Sequence, residues 1–180
     1  MIAALILLLL VAAAIWLFNR LVRMRNQVHV AWSDVDVQLQ RRHDLVPVLV
    51  EVVKGYASHE ESLLTRIAAE RREAMGLASP AGRSVPEREL GADLARLVAL
   101  AEAYPELKAS ANFAQLTREL VGVEDGLQHA RRFYNGSVRQ YNTELERFPA
   151  LLIARAFRFV AAEFFAAEDD ARAVVDVKLD

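Results

Sequence analysis

Between Phe113 and Phe148 the apolar side chains fall at Phe113, Leu116, Leu120, Val123, Leu127, Ala130, Tyr134, Val138, Tyr141, Leu145 and Phe148, in steps of three and four. That period keeps them on one face of an α-helix for about ten turns, or ~54 Å. A ridge of this length must be covered by other helices of comparable reach. Burying its side chains at ~1.5–3 kcal/mol each offsets the entropy lost in ordering so long a segment. Composition points the same way: 7 glycines and 5 prolines in 180 residues leave few helix breakers. The expected fold class is all-α, an N-terminal single transmembrane helix followed by an antiparallel long-helix bundle.

The transmembrane helix is read from Ile2 to Phe18, IAALILLLLVAAAIWLF, an uncharged apolar run. At ~1.5 Å per residue it spans roughly 25 Å, a little under the ~30 Å of a hydrocarbon core. Trp16 is placed for the interface, and Arg20, Arg23 and Arg25 follow the span. A cleaved signal peptide carries a basic stretch before its apolar core, and here only Met1 precedes it. A retained anchor is therefore expected, with Ile2, Trp16, Phe18, Arg20, Arg23 and Arg25 forming it. The positive-inside rule puts the N-terminus outside and the rest of the chain in the cytoplasm, at the inner membrane. The expected division is anchor and basic flank over 1–25, helical bundle over 26–168, and a C-terminal tail over 169–180.

Beyond the anchor, Val28, Trp32, Val35, Leu39, Val46, Val50 and Val53 make a second stripe with a polar gap at Arg42 and His43. Helix is expected to about residue 78, with a restart at Asp44 that places Pro47 in a first turn. A second break is expected at Gly55–Ser58, where Ser58 and Glu61 have capping-box spacing. ASPAGRS, residues 78–84, reads as a loop, and Ser84–Glu87 as the box opening the next helix. Pro105 should end that helix, Asn112 should cap the ridge helix, and Leu151 to Phe165 should be a further apolar helix. Trp32, Tyr104, Phe113 and Phe148 read as core. Arg41 and Arg42, and Arg71 and Arg72 with Glu70 and Glu73, read as solvated charge with partners four residues away.

Few function classes survive. Twenty-two basic against twenty-four acidic side chains give no positive field for nucleic acid. The lack of cysteine excludes disulfides, thiolate metal sites and a thiol nucleophile. The histidines at 29, 43, 59 and 129 form neither His-Glu-x-x-His nor Glu-x-x-His, and phosphate-binding glycine loops are missing. Asp34 and Asp36 point to opposite sides of a helix, while Asp36 and His43 lie ~10 Å apart along one. No catalytic, cofactor-binding or metal-binding residue is assigned.

A different pattern is informative. Tyr134-Asn135 recurs as Tyr141-Asn142, so two asparagines stack along one edge of the ridge. The expectation is a buried polar network in which Asn135 and Asn142 meet Asp36, Arg42 or His43 and fix the register between helices. A surface position for the asparagines is the alternative.

The blocks RNQVHVAWSDVDVQLQRRHDLVPVLVEVVKGYASHE, AYPELKASANFAQLTREL and YNGSVRQYNTELERFP resemble the LemA family of bacterial and archaeal membrane-anchored proteins. The likeness runs from Asn19 to about Phe165. It implies one N-terminal anchor, a helical bundle, and no established enzymatic activity or cofactor. Val48 stands where the likeness implies a polar residue, and Arg158 where it implies a glycine before an aromatic. The reading that follows is a non-enzymatic, membrane-tethered adaptor or scaffold, with the bilayer and an unidentified protein as partners. Partner surfaces are expected at 43–60 and in the C-terminal aromatic segment. The alternatives are a self-assembling, membrane-organising homo-oligomer and a hydrolase with an unrecognised carboxylate site.

Overall fold

The computed structural model describes residues 1–165, the side chain of Ser58 excepted. Six α-helices follow in order: α1 Ile2–Lys54, α2 Glu61–Gly76, α3 Pro80–Leu100, α4 Pro105–Ala109, α5 Ala111–Glu146 and α6 Ala150–Ala156. Among the described residues there is no strand. The fold is the expected helical bundle behind one long apolar N-terminal helix.

Helices α1 and α5 form its spine. Arg20 pairs with Glu144 and Arg42 with Glu124, so residue numbers across the interface sum to nearly the same value at both ends. That is an antiparallel register sustained over six turns. Asp36 meets Arg83 and Arg42 meets Glu87, numbers that rise together, so α3 runs parallel to α1, and α2 returns between them. The distal half is thus four helices: the end of α1, α2, α3 and the start of α5. Its core holds Val46, Leu49, Val53, Ile67, Leu90, Leu94, Leu97, Phe113 and Leu120. The proximal half pairs α1 with α5 alone, around Leu21, Val28, Val35, Leu39, Leu127, Tyr134, Val138 and Tyr141. There α6 and a non-helical strap over residues 159–165 take the place of the missing helices.

The expected restart of α1 at Asp44 does not occur. The helix passes through Pro47 without a break. A proline there removes the donor that His43 O would have received, and Arg71 Nε on α2 donates to that carbonyl at 2.7 Å instead. Arg71 is therefore half-buried against α1 and is not the solvated charge expected. Asp44 accepts from Gln40 on the helix surface.

Other ends move for equally local reasons. The chain breaks after Lys54 as expected, and a 3-10 turn over Ser58–Glu60 leads into α2, which has no side-chain cap. Helix α3 opens earlier than the Ser84 box predicts: Ser79 Oγ accepts from Gly82 N, with Pro80 in the first turn. Pro105 starts the short α4 and follows the end of α3 at Leu100. Ser110, not Asn112, caps α5, accepting from Phe113 N. Phe148 lies beyond the ridge and is 75% exposed. Trp32 and Tyr104 are partly buried and pack at the edges of the two cores. The 169–180 tail lies outside the described residues.

Helix α6 is shorter than the Leu151–Phe165 segment because the chain turns out of it at Arg158. Phe159 N donates to Ala154 O at 2.9 Å and Arg158 N to Arg155 O at 3.3 Å, the paired bonds of a Schellman ending. That ending puts Arg158 at φ 54°, a left-handed conformation in which a side chain costs ~1–2 kcal/mol. This is the position where the family resemblance implies glycine. Arg158→Gly is expected to stabilise the chain by about 1 kcal/mol, read as a rise in thermal midpoint in detergent.

Candidate functional site

Two polar assemblies divide the residues of the expected network. The first lies between the two apolar cores. Arg42 and His43 fill the gap in the α1 stripe and are 2% and 3% exposed, so Arg42 is not the solvated charge also expected of it. Both turn to Glu87 on α3, itself 3% exposed. Arg42 donates through Nη2 to the Glu87 carboxylate and to Glu87 O at 3.0 Å, and through Nη1 to Glu124 Oε1 at 2.9 Å. His43 Nε2 lies 3.0 Å from Glu87 Oε1. One guanidinium thus ties α1, α3 and α5 together. Gly91 keeps the path open, since a Cβ there would sit 3.2 Å from Arg42 Nη1. Burial pushes the Glu87 carboxyl up, but His43 and Arg42 together outweigh it and hold it below the usual carboxylate range.

Asp36 is not part of this cluster. It is 54% exposed at its side chain and pairs with Arg83, which also donates to Leu77 O at the turn between α2 and α3. Asp36, Gln40, His43, Met75 and Arg83 line a recess of about 100 Å³. That is well below the ~300–1,000 Å³ of ordinary ligand pockets.

The second assembly holds the strap. Asn142 Nδ2 donates to Ala162 O at 2.9 Å, and Ala162 N donates back to Asn142 Oδ1 at 2.9 Å. Asn135 repeats the pair on Phe165, at 2.7 and 3.1 Å. Tyr141 donates to Val160 O and Tyr134 to Glu163 O. The seven-residue repeat explains the fit. Seven helical residues advance ~10.5 Å, and three extended residues, Ala162 to Phe165, advance about the same. Each asparagine amide behaves as one rung of a β-ladder offered from the side of a helix. Phe165, 1% exposed, then closes over Trp32 and the proximal core.

The asparagines therefore meet the strap backbone and neither Asp36, Arg42 nor His43. Sequence reasoning missed Glu87 and Glu124 as partners. Glu87 stands three residues before Leu90, on the stripe that Leu94 and Leu97 continue, and an acid in that register was the available signal.

Burial pushes the Tyr134 hydroxyl up to about 12, and that of Tyr141 upward as well. Both phenols are held neutral in the fold and ionise more readily when unfolded. Their contribution is fully present below pH ~10 and is lost as pH rises toward 12. A steep loss of stability between those values is expected, with phenolate absorbance rising as the strap lets go. Tyr134→Phe should flatten that part of the profile.

Among the described residues no group of three or more His, Asp or Glu is arranged to hold a metal ion. The first helix is long and apolar enough to cross a membrane, and its most apolar stretch is unburied by the bundle. Comparison with known proteins places these features. A sequence model of the LemA family matches residues 31–179. Magnetosome protein MamQ 2 of Paramagnetospirillum magneticum is 26% identical over 181 aligned residues, covering 86% of this chain and 66% of that protein. Magnetosome protein MamQ of Magnetospirillum gryphiswaldense is 25% identical, covering 82% of this chain and 64% of its own length. Protein LemA of Metamycoplasma hominis is 24% identical over 88% of this chain and 73% of its own. The chain spans about two thirds of the length of the MamQ relatives. None of these names is that of an enzyme. With the family pattern running from the middle of α1 through the strap, behind one apolar helix, this membrane-associated chain belongs to the LemA family.

Proposed function

We propose that the protein is a non-enzymatic adaptor that holds a binding surface at a fixed height above the cytoplasmic face of the inner membrane. The unbroken course of α1 carries this reading. From Phe18 to Lys54 one helix rises ~54 Å out of the apolar run, without a hinge between anchor and bundle. The far end carries the turn over 55–60, with Tyr56 and, about two turns below, Val48 among the exposed apolar side chains. A tethered surface raises the effective concentration of whatever it binds. Arg20, Arg23 and Arg25 favour the cytoplasmic side. The buried Arg42 is spent on Glu87 and Glu124, and the recess beside His43 is too small for a substrate, which supports a structural role over hydrolysis.

Proximity labelling from the C-terminus in living cells tests this. Cytoplasmic neighbours that recur, and that disappear with Val48→Asp and Tyr56→Asp in a protein that still folds, are expected. Extracytoplasmic neighbours, or a set indifferent to both substitutions, would count against it.

Self-assembly is the second reading. Val30 and Val37 are 61% and 50% exposed, seven residues apart on one face of α1. Cross-linking that yields ladders of this protein alone, abolished by Val30→Glu with Val37→Glu, would favour it.

A further inference from the structure

The bundle's membrane-proximal end has a chemistry of its own. The register of α1 on α5 sets the last turn of α5 level with Phe18–Arg20, and α6 lies beside it. Phe18 packs edge-on against Phe157 and Phe159, with ring centres 4.8 and 5.7 Å away. Phe148, Leu152, Phe157 and Val160 are each more than half exposed there. An apolar rim at this height continues the surface of the anchor. It also suits an apolar run shorter than the hydrocarbon core, because it adds apolar depth where the helix alone falls short.

At the same level, on the other flank of α1, α1 and α5 leave a cleft of about 340 Å³, lined by Arg20, Arg139, Gln140, Thr143, Glu144 and Arg147 among others. Three guanidinium groups face one carboxylate. Glu144 is buried, with Arg20 Nη2 at 3.1 Å and Arg147 Nη1 at 3.8 Å from the same oxygen. It holds Arg20 by a hydrogen bond, draws Arg147 near, and leaves the cleft two charges positive. Arg20 also stacks over the Trp16 ring at 5.5 Å, which fixes it at interfacial height. Guanidinium forks suit phosphate oxygens, and Thr143 and Gln140 add neutral donors.

The geometry points to a seat for the phosphate of an anionic phospholipid headgroup, its acyl chains running down the anchor past Trp16. The inference rests on the chain lying in a bilayer and not on the adaptor reading.

Native mass spectrometry of the full chain in detergent tests it, with phosphatidylglycerol, phosphatidylcholine and inorganic phosphate titrated separately. One phosphatidylglycerol retained per chain is expected, at least tenfold more tightly than phosphatidylcholine. Arg139→Gln with Arg147→Gln should abolish that preference, while Arg118→Gln with Arg132→Gln, the same charge change away from the cleft, should leave it intact. Equal retention of the two lipids would overturn the seat, as would undiminished phosphatidylglycerol binding by the cleft variant. Displacement of the lipid by inorganic phosphate at equal concentration would overturn the lipid as its source. Retention of the lipid by Val48→Asp with Tyr56→Asp, alongside lost labelling in cells, would separate this site from the adaptor surface.

Discussion

Glu87→Ala is expected to destabilise the bundle by about 3–5 kcal/mol, enough to unfold many domains of this size at physiological temperature. The substitution removes one carboxylate but strands two groups. Arg42 keeps Glu124, whose side chain is 36% exposed, and the backbone carbonyl of residue 87, but loses its buried counter-charge while remaining 2% exposed itself. His43 Nε2 loses the carboxylate oxygen 3.0 Å away. The penalty comes from a buried charge left without its partner, not from the worth of the pair, and a second variant separates the two. Replacing Arg42 with Met and Glu87 with Leu removes both charges and fills the space with apolar atoms. That double variant should recover most of the loss, since ion pairs in dry interiors contribute little net stability over well-packed apolar residues. Acid should act on the wild type in the same direction as Glu87→Ala. Glu87 titrates below the unfolded carboxyl value, so its stabilisation is present above pH ~4.5 and is lost as pH falls through the lowered folded value. Thermal unfolding of the full chain in detergent, followed by helical circular dichroism from pH 3 to 7, reads all of these. Equal losses for the single and double variants would show that the ion cluster is net stabilising and not merely self-satisfied.

Asn135→Leu with Asn142→Leu is expected to cost about 2–4 kcal/mol, although leucine is the better helix former. Four hydrogen bonds to the strap vanish, and Ala162 and Phe165 are left with amide groups facing hydrocarbon. The strap is expected to detach, withdrawing Phe165 from Trp32, whose ring centre lies 5.6 Å away. In a Trp16→Phe background, Trp32 reports this directly as a red-shifted emission at temperatures where helical content is unchanged. Either single substitution should give roughly half the cost, because the two rungs lie ~10 Å apart and share no partner. Unchanged emission in the double variant would mean that the tyrosine bonds and the apolar seat of Phe165 hold the strap without the amides.

These two assemblies show where the sequence could be read and where it could not. The ridge on α5 was legible from its spacing, since eight of its eleven expected members are buried. The gap at Arg42 and His43 and the repeated Tyr-Asn were legible as anomalies on apolar faces. Their partners were not. Glu87 is forty-five residues from Arg42, and helical periodicity carries no information about which faces meet across that distance. The asparagines found backbone, which any residue supplies, so no side chain elsewhere in the sequence could announce the strap. Pro47 misled for a related reason. The rule that proline ends a helix counts a lost donor, and here the orphaned carbonyl receives Arg71 from another helix. Capping boxes misled because Ser79 and Ser110 offered competing caps a few residues upstream, each followed by good helix formers.

One claim supports the rest: the anchor and the first bundle helix are a single rigid element. The chain has no cysteine, so two introduced at Ile15 and Val48, both exposed, can carry spin labels without background. The distance between them in lipid nanodiscs is the most direct measurement. A single narrow distribution centred near 50 Å is expected for thirty-three residues of unbroken helix at ~1.5 Å each. A broad or bimodal distribution centred below about 40 Å would place a hinge between membrane and bundle and contradict the account.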